Sequence, residues 1–498
     1  MAFFRYSILA VLAAGLLLPS VYGLQFPVSA RLKHRAGQSG FGKRQSAGQT
    51  STSGDQMVIS LKDLQDVEYT SMVWLEGQPF TVLLDTGSAD LNIMGTIPTA
   101  KDTGIPVTVN FASGAEEGQM SFGNVTFAGY TVQQQVFNHV SVNAGASSQN
   151  GQDQGLLGLG MSSGSVLHKI YQQTLTTDTS GMLNPTWGDA LLDRIFQQNP
   201  STSNFMSFTL ARDMDTAETS VIAVGNFTLS ELVPGMENIT TMPKLPVITP
   251  PQGQTDLQHW TVAVDGIMAN DVAFTLPQSV VAGAAAGSMV AVLDSGFTFP
   301  QVPPSVAQAF YGSIPGAVLS NASGVIAWTF PCKAQVNASF MFAGVNYPIH
   351  PLDMSFDPAT VGQPLPNNTC IGAFQPIQAD ALQALDGVAD MVLGMAFLRN
   401  TYTLMNYGDF VDSAADATAQ PYVQLLSTTD AAAAAACFTS VRDPPPVYNG
   451  YASPTNELMP AFVVLPTFAA ICLLVFVVWL RLRRTAAARD TKNMRQLP

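Results

Sequence analysis

Two similar turns, one in each half of the chain, limit the possible folds more than any other feature. Asp85-Thr86-Gly87 follows the apolar run Thr81–Leu84, and Asp294-Ser295-Gly296 follows the apolar run Met289–Leu293. A hydrophobic strand that runs into Asp-(Thr/Ser)-Gly places a carboxylate at the tip of a tight turn, which glycine permits. The pair of turns predicts two carboxylates that face each other as an acid–base dyad.

A second pattern follows each turn and makes the chain an internal repeat. Residues 155–159 read Gly-Leu-Leu-Gly-Leu, and residues 391–395 read Met-Val-Leu-Gly-Met. The glycine after two apolar residues lets another chain segment pass closely beneath the turn. The repeat therefore predicts two similar lobes of about 170–200 residues, each the size of an ordinary domain.

Short β-rich runs separated by Gly, Pro, Asn and Ser dominate the chain from Met57 onward. We expect a mostly β body over residues 56–428, with an N-terminal lobe at 56–215 and a C-terminal lobe at 216–428. The clearest predicted strands are Val107–Phe111, Val125–Phe127, Tyr130–Val132, Ser207–Leu210, Val221–Val224 and Tyr422–Leu426.

The charge of the chain is low and negative. Only 11% of residues are charged and the net charge is −14. The cations concentrate near the two ends, so the body has no basic composition with which to bind nucleic acid. A small number of lysines and arginines is suited to an acidic medium, because protonation of the carboxylates then builds little positive charge. An acidic surface kept for solubility explains the same composition.

The first 55 residues are expected to lie outside the folded body. Residues 1–23 have one cation, an apolar stretch and small residues near Gly23, which is typical of a secretory signal peptide. Residues 24–44 are basic and end in Lys43-Arg44, which indicates a propeptide with a dibasic processing site or, alternatively, a basic linker. Residues 45–55 are polar and predicted to be a disordered linker.

An uncharged stretch near the other end predicts a transmembrane helix. Residues 461–480 are long enough to cross a bilayer, and arginines at 481, 483 and 484 follow directly. We therefore expect a type I protein with a stem at 429–460 and a cytoplasmic tail at 481–498, at the cell surface or in a vacuole or endosome. A glycolipid-anchor signal would end on the apolar run, and a buried core helix would not carry these flanking charges.

Cysteines and glycosylation motifs agree with secretion. Cys332 and Cys370 are the only cysteines of the folded body and are expected to form a disulfide, whereas Cys437 lies in the stem and Cys472 in the span. Six Asn-x-Ser/Thr motifs are candidate glycosylation sites, namely Asn124, Asn226, Asn238, Asn321, Asn337 and Asn367.

These motifs, with those that surround them, resemble the pepsin-like aspartic peptidases over most of residues 56–428. The segment Val109–Gly114 is similar to the family's flap hairpin, and Trp260–Gly266 is similar to the strand that enters its second lobe. Residues 332–370 resemble its disulfide loop, and residues 392–404 its closing strands. The resemblance implies a bilobal acid protease fold with a cleft between the lobes.

The resemblance also implies the roles of individual residues. Asp85 and Asp294 would be the catalytic dyad that activates a water molecule, with polypeptide substrates, no cofactor and no metal. The active-site supports would be Thr86, Gly87, Ser88, Ser295 and Gly296, and the flap residues Phe111 and Gly114. The five histidines, His34, His139, His168, His259 and His350, lack metal-ligand spacing and are expected to be structural or to lie on the surface. We expect a monomer, and the dibasic site with the membrane anchor is typical of fungal members.

The chain departs from the family pattern at four positions. Phe297 replaces the usual hydroxyl residue after the second turn, which removes a donor for Asp294. Asn92 and Phe111 replace a tryptophan and the flap tyrosine that normally contact each other, and Gln154 replaces a common aspartate. None of these changes removes a catalytic carboxylate.

Three functions are compatible with these features. The first is an aspartic endopeptidase that acts at acidic pH. The second is a weak or inactive pepsin-fold ectodomain that serves as a binding protein, for which the departures at 92, 111 and 297 argue. The third, a glycoside hydrolase with the same two carboxylates, explains neither the turns nor the flap.

Overall fold

The structure is a computed structural model that describes residues 51–53, 56–60, 62–63, 69–111, 114–140, 154–178, 183–200, 203–212, 225–249, 258–322, 325–361, 365–378, 385, 387–408 and 420–443. The predicted signal peptide, propeptide, transmembrane helix and cytoplasmic tail lie outside these residues, as do the predicted strand Val221–Val224 and most of the stem. Within the ranges given, no helix is long and apolar enough to cross a membrane.

The described chain is mostly β, as predicted. In chain order the strands are β1 Ser51–Ser53, β2 Gln56–Ser60, β3 Lys62–Asp63, β4 Tyr69–Leu75, β5 Gln78–Asp85, β6 Leu91–Met94, β7 Lys101–Phe111, β8 Gly114–Phe127, β9 Tyr130–Val140, β10 Gly155–Gly158, β11 Phe205–Thr209, β12 Asn226–Leu229, β13 Leu245–Pro246, β14 Thr261–Val264, β15 Gly266–Ala269, β16 Val272–Phe274, β17 Met289–Leu293, β18 Gln301–Val302, β19 Val318–Ala322, β20 Val325–Pro331, β21 Ala338–Phe342, β22 Val345–Ile349, β23 Ser355–Phe356, β24 Thr369–Gly372, β25 Gln375–Pro376, β26 Met391–Leu393, β27 Thr401–Asn406 and β28 Tyr422–Ser427. The α-helices are α1 Val166–Thr177, α2 Leu191–Gln198, α3 Pro304–Tyr311, α4 Met395–Leu398 and α5 Ala431–Arg442.

The strands form one large sheet in the first half, three smaller sheets in the second half and one sheet shared by both. The first half holds an eight-stranded sheet in the order β3-β4-β5-β10-β6-β9-β8-β7. The second half holds a five-stranded sheet, β14-β17-β26-β18-β25, and two four-stranded sheets, β16-β15-β21-β22 and β19-β20-β24-β23. A seven-stranded sheet, β1-β2-β12-β11-β27-β28-β13, takes strands from both halves and so joins them.

The internal repeat corresponds to one pairing that occurs in both halves. Strand β10 lies parallel to β5 with Gly158 beside Asp85, and β26 lies parallel to β17 with Leu393 beside Leu293. Strand β17 is buried along its whole length, which explains its continuous apolar run, whereas β5 alternates between buried and half-buried residues and becomes fully buried at Leu84 and Asp85. Each half therefore presents the end of a buried strand, with its aspartate turn, to the other half.

A buried ionic cluster also fastens the two halves together. Arg212, which follows β11, donates hydrogen bonds of 2.8 Å and 2.6 Å to the carboxylate of Asp353, and Arg399 donates one of 2.7 Å. Burial raises the pKa of Asp353, but the two guanidinium groups outweigh it and hold the value at about 2. Asp353 therefore stays ionised in acid, where many surface ion pairs are lost.

Residues 431–442, placed in the stem from the sequence, form helix α5 and pack on the second half. Asp430 caps the helix by accepting a hydrogen bond of 2.8 Å from the Ala433 amide. Phe438 is buried, and Arg442 forms an ion pair of 2.5 Å with Asp357. The folded unit thus extends past residue 428, and Ser51–Ser53, predicted to lie in a disordered linker, form strand β1 and pair with β2. The predicted disulfide between Cys332 and Cys370 is present and joins the end of β20 to β24.

Asp193 on α2 is a buried acid that holds the segment beneath the first turn. Its Oδ2 accepts hydrogen bonds from the amide and hydroxyl of Ser162, which follows β10. Its Oδ1 is buried and has no hydrogen-bond partner among the described residues. Burial raises the pKa of Asp193 to about 7, Asp189 adds to this effect, and His168 opposes it. The ionised form is therefore poorly accommodated in the folded chain.

The first prediction is that Asp193→Asn stabilises the protein at neutral pH. In the unfolded chain Asp193 ionises near pH 4, but in the folded chain near pH 7, so its contribution to stability is lost as the pH rises between these values. An uncharged isostere avoids that loss. We expect a gain in the free energy of unfolding of about 2–4 kcal/mol at pH 8 and little change at pH 4.

Urea unfolding of both proteins at the two pH values measures this effect. Asp265→Asn, which alters an exposed aspartate of the second half, is the control and should change neither midpoint. A gain of equal size at pH 4 and pH 8 would mean that the ionisation of Asp193 is not its cause.

Candidate active site

The two aspartate turns come into direct contact. A Cβ atom built on Gly87 would lie 2.2 Å from Oδ2 of Asp294, and one built on Gly296 would lie 2.4 Å from Oδ1 of Asp85. Any side chain at either glycine would displace the opposite carboxylate. Asp85 and Asp294 are 5% and 9% exposed, so both are largely withdrawn from water while they face each other.

The residues after the two aspartates cross-link the turns through four hydrogen bonds. The Thr86 hydroxyl donates to the carbonyl of Leu293 at 2.8 Å and accepts from the Ser295 amide at 2.8 Å. The Ser295 hydroxyl donates to the carbonyl of Leu84 at 2.8 Å and accepts from the Thr86 amide at 3.0 Å. Each hydroxyl thus satisfies one buried donor and one buried acceptor of the opposite half.

The two carboxylates have different surroundings. Asp85 accepts hydrogen bonds from the Gly87 amide at 2.8 Å and from the Ser88 hydroxyl at 2.5 Å. Asp294 accepts one from the Gly296 amide at 2.7 Å. Burial, the charge of Asp85 and a hydrogen bond that protonated Asp294 donates to the Asp85 side chain raise the pKa of Asp294 well above its usual range. Asp294 therefore keeps its proton at pH values where an ordinary aspartate is ionised.

Phe297 occupies the position that corresponds to Ser88 in the other turn. Its side chain is half-buried and packs against an apolar cluster that includes Val281 and Val392. It offers no hydroxyl to Asp294, and only the backbone amides of Gly296 and Phe297 oppose the raised pKa there, so the missing hydroxyl contributes to the inequality of the two carboxylates.

Glycine-bearing strands support both turns from below. The Leu159 amide donates to the backbone carbonyl of Asp85 at 2.7 Å, and the Asp294 amide donates to the carbonyl of Leu393 at 3.0 Å. A Cβ on Gly158 would lie 2.5 Å from the Asp90 amide nitrogen, and one on Gly394 would lie 2.2 Å from the Phe297 carbonyl oxygen. These close approaches explain why glycine recurs at this point of the repeat.

The predicted flap is a β-hairpin of β7 and β8. Phe111 at the end of β7 pairs with Gly114 at the start of β8. The Phe111 side chain is half-buried and packs against the cluster around Val109, Met120 and Tyr171.

The position that holds tryptophan in the family carries a buried amide here. Asn92 is fully buried, and its Oδ1 accepts a hydrogen bond of 2.9 Å from Asn138 on the neighbouring strand. Gln154 accepts a hydrogen bond of 3.2 Å from the Thr81 amide within strand β5. Both departures from the family pattern therefore have local partners.

One residue beside the first turn was not recognised from the sequence. His259 approaches from the second half, and its Nδ1 lies 2.9 Å from the carbonyl oxygen of Gly87. His139 instead contacts Asp102, and His168 contacts Asp189. A lone histidine carries no motif, and the only available signal was its position directly before Trp260.

The remaining predicted sites lie away from the turns. Asn238, Asn321 and Asn367 are exposed, whereas Asn124, Asn226 and Asn337 are half-buried. Among the residues that the structure describes, Cys332, Asp357 and Cys370 form the one group with metal-ligand proximity. The two cysteines of this group form the disulfide, so their sulfur atoms are not metal ligands.

Comparison with known proteins gives the family of this fold. The family model for eukaryotic aspartyl proteases matches residues 96–415, which is more than half of the chain and includes Asp294. The chain belongs to this family. Asp85 lies before the matched range, and the close approach of the two turns places it opposite Asp294.

The relatives of this protease have low identity but long alignments. Major aspartyl peptidase 1 of Cryptococcus neoformans is 24% identical over 403 residues, which cover 74% of this chain and 72% of the relative. The aspartic-type endopeptidase ctsD of Aspergillus fumigatus is 23% identical over 385 residues, covering 74% and 68%. Cathepsin E of the rat is 22% identical over 363 residues, covering 69% and 78%. Family membership makes the protein an aspartic-type endopeptidase, a hydrolase of peptide bonds.

The second prediction concerns Phe297 and the pH range of this protease. Phe297→Thr supplies a hydroxyl donor for the Asp294 carboxylate, which stabilises the ionised form and lowers its raised pKa. Asp294 then loses its proton at a lower pH. The basic limb of kcat/KM for peptide hydrolysis should therefore move down by about one pH unit.

Phe297→Val is the matched control, because it removes the same packing without adding a hydroxyl. Its basic limb should remain at the wild-type position. If the threonine and valine variants have the same limb, the missing donor does not explain the inequality of the carboxylates.

Proposed function

We propose that Asp85 and Asp294 are the catalytic dyad of this aspartic endopeptidase and that the enzyme works in acid. The observation that carries the proposal is the unequal pair itself. Asp85 receives donors from Gly87 and Ser88, whereas Asp294 has a raised pKa. One carboxylate can therefore act as a base while the other acts as an acid at the same pH.

The chemistry follows from these protonation states. Asp85 would accept a proton from a water molecule between the carboxylates, and that water would attack the peptide carbonyl. Protonated Asp294 would donate its proton to the carbonyl oxygen as negative charge develops there. Asp85 would then give the proton taken from water to the amine nitrogen as the C–N bond breaks, and a hydroxyl of the tetrahedral intermediate would return a proton to Asp294. No covalent intermediate is needed, because water is the nucleophile.

The geometry argues against the two other functions. In glycoside hydrolases the carboxyl groups lie about 5–9.5 Å apart, because they flank the scissile glycosidic bond from opposite sides. Here a hydrogen bond joins Asp85 and Asp294. An inactive binding protein has no need of this pair, and the changes at 92, 111 and 297 leave both carboxylates in place.

We also propose a membrane-anchored precursor in the secretory pathway of a fungus. The apolar stretch 461–480, the arginines after it, the candidate signal peptide and the dibasic pair at 43–44 support this proposal. Three of the glycosylation motifs have exposed asparagines, which supports their use. The substrates are polypeptides, and the protein is proposed to act as a monomer.

The third prediction tests the dyad directly. The purified full chain should cleave a denatured protein at pH 3–5, and a statine-type inhibitor should block this cleavage. Asp294→Asn removes the acid of the pair and should lower kcat by about 10²–10⁴-fold without unfolding the protein.

Asp265→Asn is again the control and should keep full activity, since this aspartate is exposed and lies outside the turns. Circular dichroism checks the fold of each variant. Correctly folded wild-type protein without inhibitor-sensitive cleavage in this pH range would favour the binding-protein function. An active Asp294→Asn protein would exclude the dyad mechanism.

A further inference from the structure

His259 is the one imidazole of the described chain that contacts an aspartate turn. It lies half-buried between two buried residues, Gln258 and Trp260. The Gly87 carbonyl can only accept a hydrogen bond, so Nδ1 of His259 must carry the hydrogen of the 2.9 Å contact. This contact joins residues 172 positions apart in the sequence.

The contact with His259 fixes Gly87, whose amide orients the Asp85 carboxylate. The Gly87 amide donates to Oδ1 of Asp85 at 2.8 Å, while His259 holds the Gly87 carbonyl. The histidine is itself fixed, because the Trp260 indole donates to the Leu159 carbonyl at 3.1 Å. The Leu159 amide in turn donates to the Asp85 carbonyl. These four hydrogen bonds, together with the peptide bond between His259 and Trp260, form a closed ring that includes the Asp85 turn.

The charge of His259 is coupled to that of Asp85. Burial lowers the pKa of His259, while the Gly87 carbonyl and the Asp85 carboxylate oppose this effect. Asp85 is the one charged group that contributes to this shift. Since Nδ1 already carries a hydrogen, the second proton enters at Nε2 and the bond to Gly87 persists. Protonation therefore changes the charge beside Asp85 and leaves the hydrogen bond in place.

We propose that His259 is a positioning residue of the active site, which holds the Asp85 turn at every pH and stabilises the Asp85 carboxylate when the imidazole is protonated in acid. The inference rests on the proposed dyad. Asp294 retains its proton, so the acidic limb of the rate profile reports protonation of Asp85. An imidazolium ion opposes that protonation and extends activity to lower pH. The basic limb reports loss of the Asp294 proton, and His259 is not among the groups that shift the pKa of Asp294.

The fourth prediction separates the charge of His259 from its hydrogen bond. His259→Gln keeps an N–H donor but cannot become charged, and His259→Leu loses both. We expect the acidic limb of kcat/KM to rise by about 0.5–1 pH unit in both variants, while the basic limb stays in place. The leucine variant should also lose about 10- to 100-fold in kcat at the pH optimum, because the turn is no longer held.

His168→Gln is the control, since it removes a half-buried histidine that contacts Asp189, outside the cleft. Its acidic limb should match that of the wild-type protein. An unchanged acidic limb in His259→Gln would overturn the electrostatic role. A leucine variant with the kcat of the glutamine variant would overturn the positioning role.

A proton NMR titration of the full-length protein tests the coupling without any activity. The chain has five histidines, so the His259 signal can be assigned from its loss in the glutamine variant. Coupling is reciprocal, so Asp85→Asn should lower the pKa of His259 by the same 0.5–1 unit. An unchanged pKa would overturn the inference. A shifted pKa in a protein that does not hydrolyse peptides would support the coupling and count against the proposed function alone.

Discussion

The exchange of hydrogen bonds between the Thr86 and Ser295 hydroxyls and the opposite turns is the interaction on which the site depends. Like charges at hydrogen-bonding distance repel, so two carboxylates stay together only if something else holds them. The backbone atoms at the strand ends also need partners once the halves close over them. The two hydroxyls meet both requirements, because each gives and receives a hydrogen bond across the interface.

The near-symmetry of the framework contrasts with the asymmetry of the chemistry. The same parallel strand pairing supports both turns, and both have a glycine amide that binds its own aspartate. The difference lies in side chains just outside the repeat. Ser88 and His259 act on the first turn, and the apolar Phe297 replaces a donor on the second. Small changes at these positions alter proton affinity without altering the backbone that brings the carboxylates together.

Features that are local in sequence could be predicted, and features that depend on distant contacts could not. The turns at Asp85 and Asp294 follow from a strand, an aspartate and a glycine within a few residues, and the flap hairpin has a similar local pattern. The contact of His259 with Gly87 depends on how the halves close, so no window of sequence contains it. The burial of Asp193 and the packing of α5 on the second half have the same origin. The run of alanines at 431–436 favours a helix, so helix α5 itself could have been predicted locally, but its packing could not.

The shared seven-stranded sheet has a consequence for how the protein is made. Strand β11 of the first half pairs with β27, and β27 pairs with β28, so this sheet cannot be completed before residue 427 has left the ribosome. Until then β11 has an open edge that can pair with other chains. Contacts between segments so far apart also slow folding, because the intervening chain must be ordered first. The nascent protein therefore needs protection during synthesis, and a polypeptide cut short before β27 would lack the strands that close this edge.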